Sequence, residues 1–528
     1  MKRRIWITIA VIGTLVLLGA LLMPSLNRAR SEARKTSHSS YYPYIQQQGW
    51  VPPGNQQEFN TESYDEVVHN PFRLVAQHPL STFGTDVDTA SYANVRRFLN
   101  NWELPPAGAV RVEEMINYFD YEYPEPNGEH PFSVAVEVAQ CPWRPERRLA
   151  RIGLKGRTVQ REDRPPANLV FLLDVSGSMS DPNKLPLVKK AMRMLLHQLK
   201  PSDRVAIAVY AGSSGLVLPS TPARQRRVIL DAFTRLQAGG STNGCQGIQL
   251  AYREATGNFI EGGINRVVLC TDGDFNVGIT DEGSLVDLIE SRARSGVFLS
   301  VMGFGMGNYK DSTLEKLADR GNGNYGYIDS EGEARKVFVD QVAGTLVTIA
   351  KDVKIQVEFN PKQVAAYRLI GYENRMLAAE DFNDDTKDAG EIGAGHSVTA
   401  LYQIIPAEAG PVATAGDRQK YQTPSEPTGE HGDELMTVKL RYKEPDGHRS
   451  KLLSLVAKDE GTSFEQASVD FRFAAAVAAF GMILRESPYC GTARLSEVIS
   501  WAEETVSTDS SPYKKEFVEL AYTALVLR

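Results

Sequence analysis

Between residues 166 and 350 short apolar runs alternate with amphipathic stretches, and this rhythm restricts the chain more than any other feature. The runs fall at Leu169–Leu173, Val205–Val209, Val267–Leu269 and Phe298–Met302, with a shorter one at Tyr325–Ile328. Helical periodicity occupies the intervals, at 184–199, 222–236, 247–255, 285–295 and 311–318. A strand that is apolar at nearly every position needs both its faces covered. Helix-spaced runs of this kind predict a doubly wound, Rossmann-like parallel sheet.

The period changes on either side of this block. Upstream, 90–99 and 110–119 predict two short helices, and Phe132–Val138 and Leu149–Lys155 predict strands. Downstream, Val353–Phe359 alternates strictly, as do parts of 397–405 and 435–442. Strand-rich flanks around an α/β block suggest an insertion, the flanks closing together into one β-sandwich. Residues 407–430 are rich in Pro, Gly and Thr and predict a long loop. The tail is helical in pattern. Its apolar stretch 473–480, bracketed by Arg472 and Arg485, is too short to span a bilayer and predicts a buried core helix. The expected organisation is a membrane anchor or signal segment at 1–24, a tether at 25–69 and an N-terminal extension at 70–165. An α/β domain at 166–350, a β-rich domain at 351–460 and a helical region at 461–528 follow.

The first residues set the expected location. Lys2, Arg3 and Arg4 precede Ile5–Met23, an uncharged stretch long enough to cross a hydrocarbon core of ~30 Å. No Ala-x-Ala cleavage site follows, so an uncleaved anchor is preferred to a cleaved signal. Cations also follow the segment, at Arg28, Arg30, Arg34 and Lys35, so the charge rule for orientation nearly cancels. The expected location is the cell envelope, anchored in the cytoplasmic membrane with the bulk outside the cytoplasm. A net charge of −7 without a long basic block argues against nucleic acid as a partner. The four cysteines are far apart and form no CxxC pair, and Cys270 ends an apolar run as a small core residue.

Three segments carry the chemistry. A buried strand runs into Asp174-Val-Ser176-Gly-Ser178; a glycine-rich turn, Gly239-Gly240-Ser241-Thr242, precedes a helix; and a second apolar strand ends in Thr271-Asp272-Gly273. In open parallel sheets, ligands gather where strand carboxyl ends meet helix starts. Hydroxyls and carboxylates collected there form an all-oxygen donor set. That set suits a hard divalent cation, Mg²⁺ foremost, with Mn²⁺ or Ca²⁺ as alternatives.

These segments resemble the metal ion-dependent adhesion site (MIDAS) of von Willebrand factor type A (VWA) domains. The resemblance assigns Asp174, Ser176, Ser178, Thr242 and Asp272 as the metal-binding residues. It further implies a protein partner whose Asp or Glu carboxylate completes the coordination. Residues 79–97 and 110–119 resemble the N-terminal extension of YfbK-type bacterial proteins. Phe359-Asn-Pro361, 367–375 and Leu440-Arg-Tyr-Lys443 resemble their C-terminal domain of unknown function.

Catalysis is not expected, because the eight histidines form no cluster near these segments and Asp274 reads as a rim residue rather than a base. The expected role is a membrane-tethered, metal-dependent protein-binding module. The alternative is a VWA adaptor subunit of a cytoplasmic ATPase or chelatase-like complex. The acidic stretch 381–391 lacks the EF-hand glycine and final glutamate and reads as a solvated loop. The Asp86/Asp88 pair reads as a cap for the helix near Ala90.

Overall fold

The computed structural model describes residues 62, 64 and 68–528, apart from 86–87, 241–243, 274–281, 306–310, 388, 410–431, 446, 448 and 507–510. The expected anchor and most of the tether lie outside the described residues. Among the described residues no helix is long and apolar enough to cross a membrane.

The central α/β block forms one six-stranded sheet. Its order is Tyr325–Ile328, Phe298–Phe304, Ile264–Thr271, Ala167–Asp174, Arg204–Tyr210 and Ser214–Pro222. The first five strands are parallel and the last is antiparallel. The five parallel strands match the expected doubly wound sheet, and Ser214–Pro222 adds an antiparallel edge strand to it. The Ala167–Asp174 strand is buried along its whole length and shows how both faces are used. Leu169, Phe171 and Leu173 pack with Leu187, Met192 and Phe233 on one face. Val170 and Leu172 pack with Ile248, Ala251 and Leu285 on the other. Side chains alternate across a strand, so a run apolar at every position feeds two cores at once.

The flanks do close on each other. One sheet orders Arg73–Leu74, Val364–Ile370, Ser397–Pro406, Arg148–Gly156 and Phe132–Gln140; the second orders Met376–Leu377, Leu80–Gly84, Thr348–Phe359, Met436–Lys443 and Ser450–Ala457. Arg151 stands opposite Leu401, and Phe83 opposite Ile355, so strands from before the α/β block pair with strands from after it. Ile152, Leu154, Val353, Ile355, Tyr402 and Leu440 are among the residues of their shared core.

The Val469–Leu484 helix is a core helix, buried from Phe473 through Leu484. It packs with Val112, Met115, Phe119 and Trp143 of the N-terminal flank and with Phe517 and Leu520 of the Pro512–Leu527 helix. At Gly481 a Cβ would stand 3.2 Å from Val112, so glycine permits the close approach there.

Charged side chains join the α/β domain to its flanks. Arg96, on the Ala90–Asn100 helix, reaches Asp329 at 2.5 Å and Glu333 at 2.7 Å. Arg375 reaches Asp319 at 2.7 Å and Glu315 at 2.8 Å, and Glu315 also receives Arg111 at 2.9 Å. Asp88 serves this seam, its Oδ1 accepting a hydrogen bond from the Tyr325 backbone N–H at 2.9 Å. The Ala90 helix has Thr89 at its N-cap without a side-chain capping bond, which corrects the expected role for Asp88; Asp86 lies outside the described residues.

Candidate metal site

Parallel pairing of Ala167–Asp174 with Ile264–Thr271 brings two carboxylates to one sheet edge. Leu173 stands opposite Cys270, so both chains leave the sheet side by side, one at Asp174 and the other at Asp272. After Asp174 the chain turns through a short 3₁₀ segment, Gly177–Ser180, before the Leu185–Gln198 helix begins. The turn is held by Asp174 itself, whose Oδ1 accepts from the Ser176 N–H at 2.8 Å. Its Oδ2 accepts from the Thr271 hydroxyl at 3.3 Å, and Thr271 Oγ1 in turn accepts from the Gly273 N–H at 3.3 Å.

The glycine-rich turn meets this edge through its backbone. Gly239 N–H donates to Val175 O at 2.7 Å, and Gly177 N–H donates to Gly240 O at 3.0 Å. Gly240 has φ +90°, a left-handed conformation that a side chain rarely adopts. Asp174, Ser176, Ser178 and Asp272 therefore come to one edge, and the turn that carries Thr242 is tied to it. Thr242 and Asp274 themselves lie outside the described residues.

Asp174 and Asp272 are fully buried, and Ser176 is nearly so. Ser176 Oγ and Ser178 Oγ stand 3.1 Å apart. Adjacent ligands of an octahedral ion with bonds of about 2.1 Å are separated by about 3 Å, so the two hydroxyls already have the spacing of neighbouring ligands. Burial pushes the Asp174 carboxyl up to about 6; bonds from Ser176 pull it down, and the charge on Asp272 pushes it further up. A buried carboxylate pair of this kind favours a cation between or beside its members. Among the described residues no three His, Cys, Asp or Glu side chains converge, and the hydroxyls of Ser176 and Ser178 are the further side-chain oxygens beside the two carboxylates. The donor set present fits a hard divalent cation.

One participant was missed from sequence. Lys184, buried just before the Leu185–Gln198 helix, places Nζ 3.1 Å from Asp272 Oδ2 and 3.8 Å from Asp181. In sequence it is only the first residue of the helical pattern 184–199. His197, by contrast, lies in the last turn of that helix, with Arg226 Nη1 3.5 Å from its Nδ1.

Comparison with known proteins agrees with this architecture. A family model for the von Willebrand factor type A domain matches residues 169–274, and a second von Willebrand factor model matches 58–151. The model "Uncharacterized protein YfbK, C-terminal" matches 344–527. The uncharacterized protein YfbK of Escherichia coli (strain K12) is 42% identical over 468 residues, 87% of this chain and 80% of that protein. The chain belongs to the YfbK family. Its VWA domain is of a kind that suggests protein interaction or adhesion. Human inter-alpha-trypsin inhibitor heavy chain H4 is 29% identical to this YfbK-family chain, over 33% of the chain and 18% of the human protein. A solved von Willebrand factor type A structure from Catenulispora acidiphila is 17% identical with a TM-score of 0.39, covering 71% of this chain and 87% of that one.

Proposed function

We propose that this chain is a metal-dependent protein-binding module. In this reading Asp174, Ser176, Ser178, Thr242 and Asp272 hold a divalent cation, Mg²⁺ before Mn²⁺ or Ca²⁺, and an Asp or Glu carboxylate of a partner protein completes its coordination. The observation that carries the reading is the pair of hydroxyls 3.1 Å apart beside two buried carboxylates. When bound, the cation supplies Lewis acidity directed at an anionic ligand. The chain's own part is to present neutral hydroxyls, keep Asp174 in place through Ser176 and Thr271, and hold the glycine turn against the edge. No catalysis is assigned, since His197 sits at the far end of its helix and Lys184 is engaged with Asp272. The apolar segment at 5–23 tethers the chain to the cytoplasmic membrane, with the bulk outside the cytoplasm.

The test is a Ser176→Ala/Ser178→Ala double variant, titrated with Mn²⁺ beside wild type and followed by electron paramagnetic resonance. Wild type should bind Mn²⁺ and release it to chelator; the variant should keep its circular dichroism and lose binding. Equal Mn²⁺ binding by both proteins would remove these hydroxyls from the site. A C-terminal reporter active only in the cytoplasm would refute the orientation.

A further inference from the structure

Lys184 is set deep beside the candidate metal site, and three loops cooperate to place it. Its backbone follows the turn after Ser178, with its N–H donating to Asp181 O at 3.0 Å. Its stem passes over Gly305, at the end of the Phe298–Phe304 strand, where a Cβ would come within 2.3 Å of Lys184 Cε. Gly305 has φ +80°, and its carbonyl accepts the Tyr327 hydroxyl, so this passage is a fixed feature of the backbone. The ammonium reaches Asp272 Oδ2 at the end of a third loop. Burying a long cationic side chain is costly unless it is paired, and a solvated lysine would not need a glycine floor.

The charges at the site then follow. Among the described buried groups, Asp174 and Asp272 supply two negative charges and Lys184 one positive charge; Asp181, 3.8 Å from Lys184, is largely exposed and screened by water. A divalent cation added to this set leaves one net positive charge; without the lysine it would leave none. We propose that Lys184 is a fixed counter-charge that weakens cation binding and, in return, keeps the loaded site electropositive toward a carboxylate ligand. It acts as a positioning and charge-setting residue and touches neither cation nor partner. The proposal rests on the metal reading above.

The experiment is Mn²⁺ titration of the full chain, read by electron paramagnetic resonance of free Mn²⁺. Wild type is compared with Lys184→Met and with Lys184→Gln, a second uncharged variant in case the first does not fold. Removing one like charge beside the site should tighten Mn²⁺ binding by roughly tenfold or more. A second readout is water-proton relaxation of the Mn²⁺-loaded proteins titrated with acetate. The uncharged variants should need more acetate than wild type to displace bound water. Unchanged or weaker Mn²⁺ binding in folded variants overturns the proposal, because it would make Lys184 a brace for Asp272 and no more. Wild type that is folded yet binds no Mn²⁺ instead overturns the metal reading, and this inference with it.

Discussion

Replacing Arg96 by Met tests how the VWA domain is held by its flanks. Arg96 is almost wholly enclosed, with side-chain exposure of 4%, and it faces Asp329 and Glu333, exposed by 8% and 2%. It also donates to the Tyr118 hydroxyl at 2.9 Å and reaches Glu516 at 3.2 Å. Glu516 is more than one-third exposed, so water screens it and its loss costs little. The two enclosed carboxylates set the cost. Methionine fills much of the stem volume but leaves both without their cation, and breaking a buried pair from one side costs about 3–5 kcal/mol. Burial already raises the Asp329 carboxyl and Arg96 opposes that rise, so without Arg96 the carboxyl rises further. A carboxyl whose native value lies above its unfolded value binds protons more readily in the folded state. Its contribution is therefore favourable at low pH and lost as pH climbs through the raised native value. Urea unfolding of the full chain at pH 5 and pH 8 should show a larger deficit at pH 8. A deficit below about 1 kcal/mol, or one equal at both pH values, would refute the account of this seam.

Other outcomes follow from single contacts. Burial holds His396 down at about 4 against an ordinary value of 6.5, and among the described residues neither ring nitrogen has a hydrogen-bond partner. The unfolded chain therefore takes up this proton first as pH falls. Stability present above pH 6.5 should drop by about 3 kcal/mol by pH 4, and His396→Leu should flatten that part of the acid limb in denaturation curves. Gly153→Ala would put a Cβ 2.0 Å from the Tyr123 ring, whose hydroxyl is bonded to Thr399 at 2.8 Å. The ring cannot retreat without losing that bond, so a loss of about 2 kcal/mol or more is expected in urea titrations. Ser176→Ala/Ser178→Ala should leave the urea midpoint of the metal-free chain within a few tenths molar of wild type; a collapse would make these serines structural.

Where periodicity and burial agree, the sequence is easy to read. The inner strands of the VWA sheet and the Val469–Leu484 helix are recognisable because buried positions repeat at every residue or over several turns. Ser214–Pro222 escaped because it is a bulged edge strand, exposed at Leu216 and Val217 and polar at both ends. Ser450–Ala457 escaped for a related reason, since Leu452, Leu455 and Val456 are exposed and its pattern does not separate inside from outside. Val364–Ile370 carries a fully buried arginine, Arg368, which interrupts its apolar signal. Much of the candidate metal site could be read because its residues sit in short local motifs. Lys184 could not, because its meaning depends on Gly305 and Asp272 arriving from other strands.

The pairing of Leu80–Gly84 with Thr348–Phe359 also bears on the order of assembly. A ribosome must complete the whole VWA domain before the early strand meets its neighbour, and Arg148–Gly156 waits longer still for Ser397–Pro406. The insert can bury its own two cores in the meantime, while the first strands stay open-edged until late in synthesis. Chains cut short between residue 350 and the Ser397–Pro406 strand should therefore carry a finished VWA domain on an unfinished, aggregation-prone base.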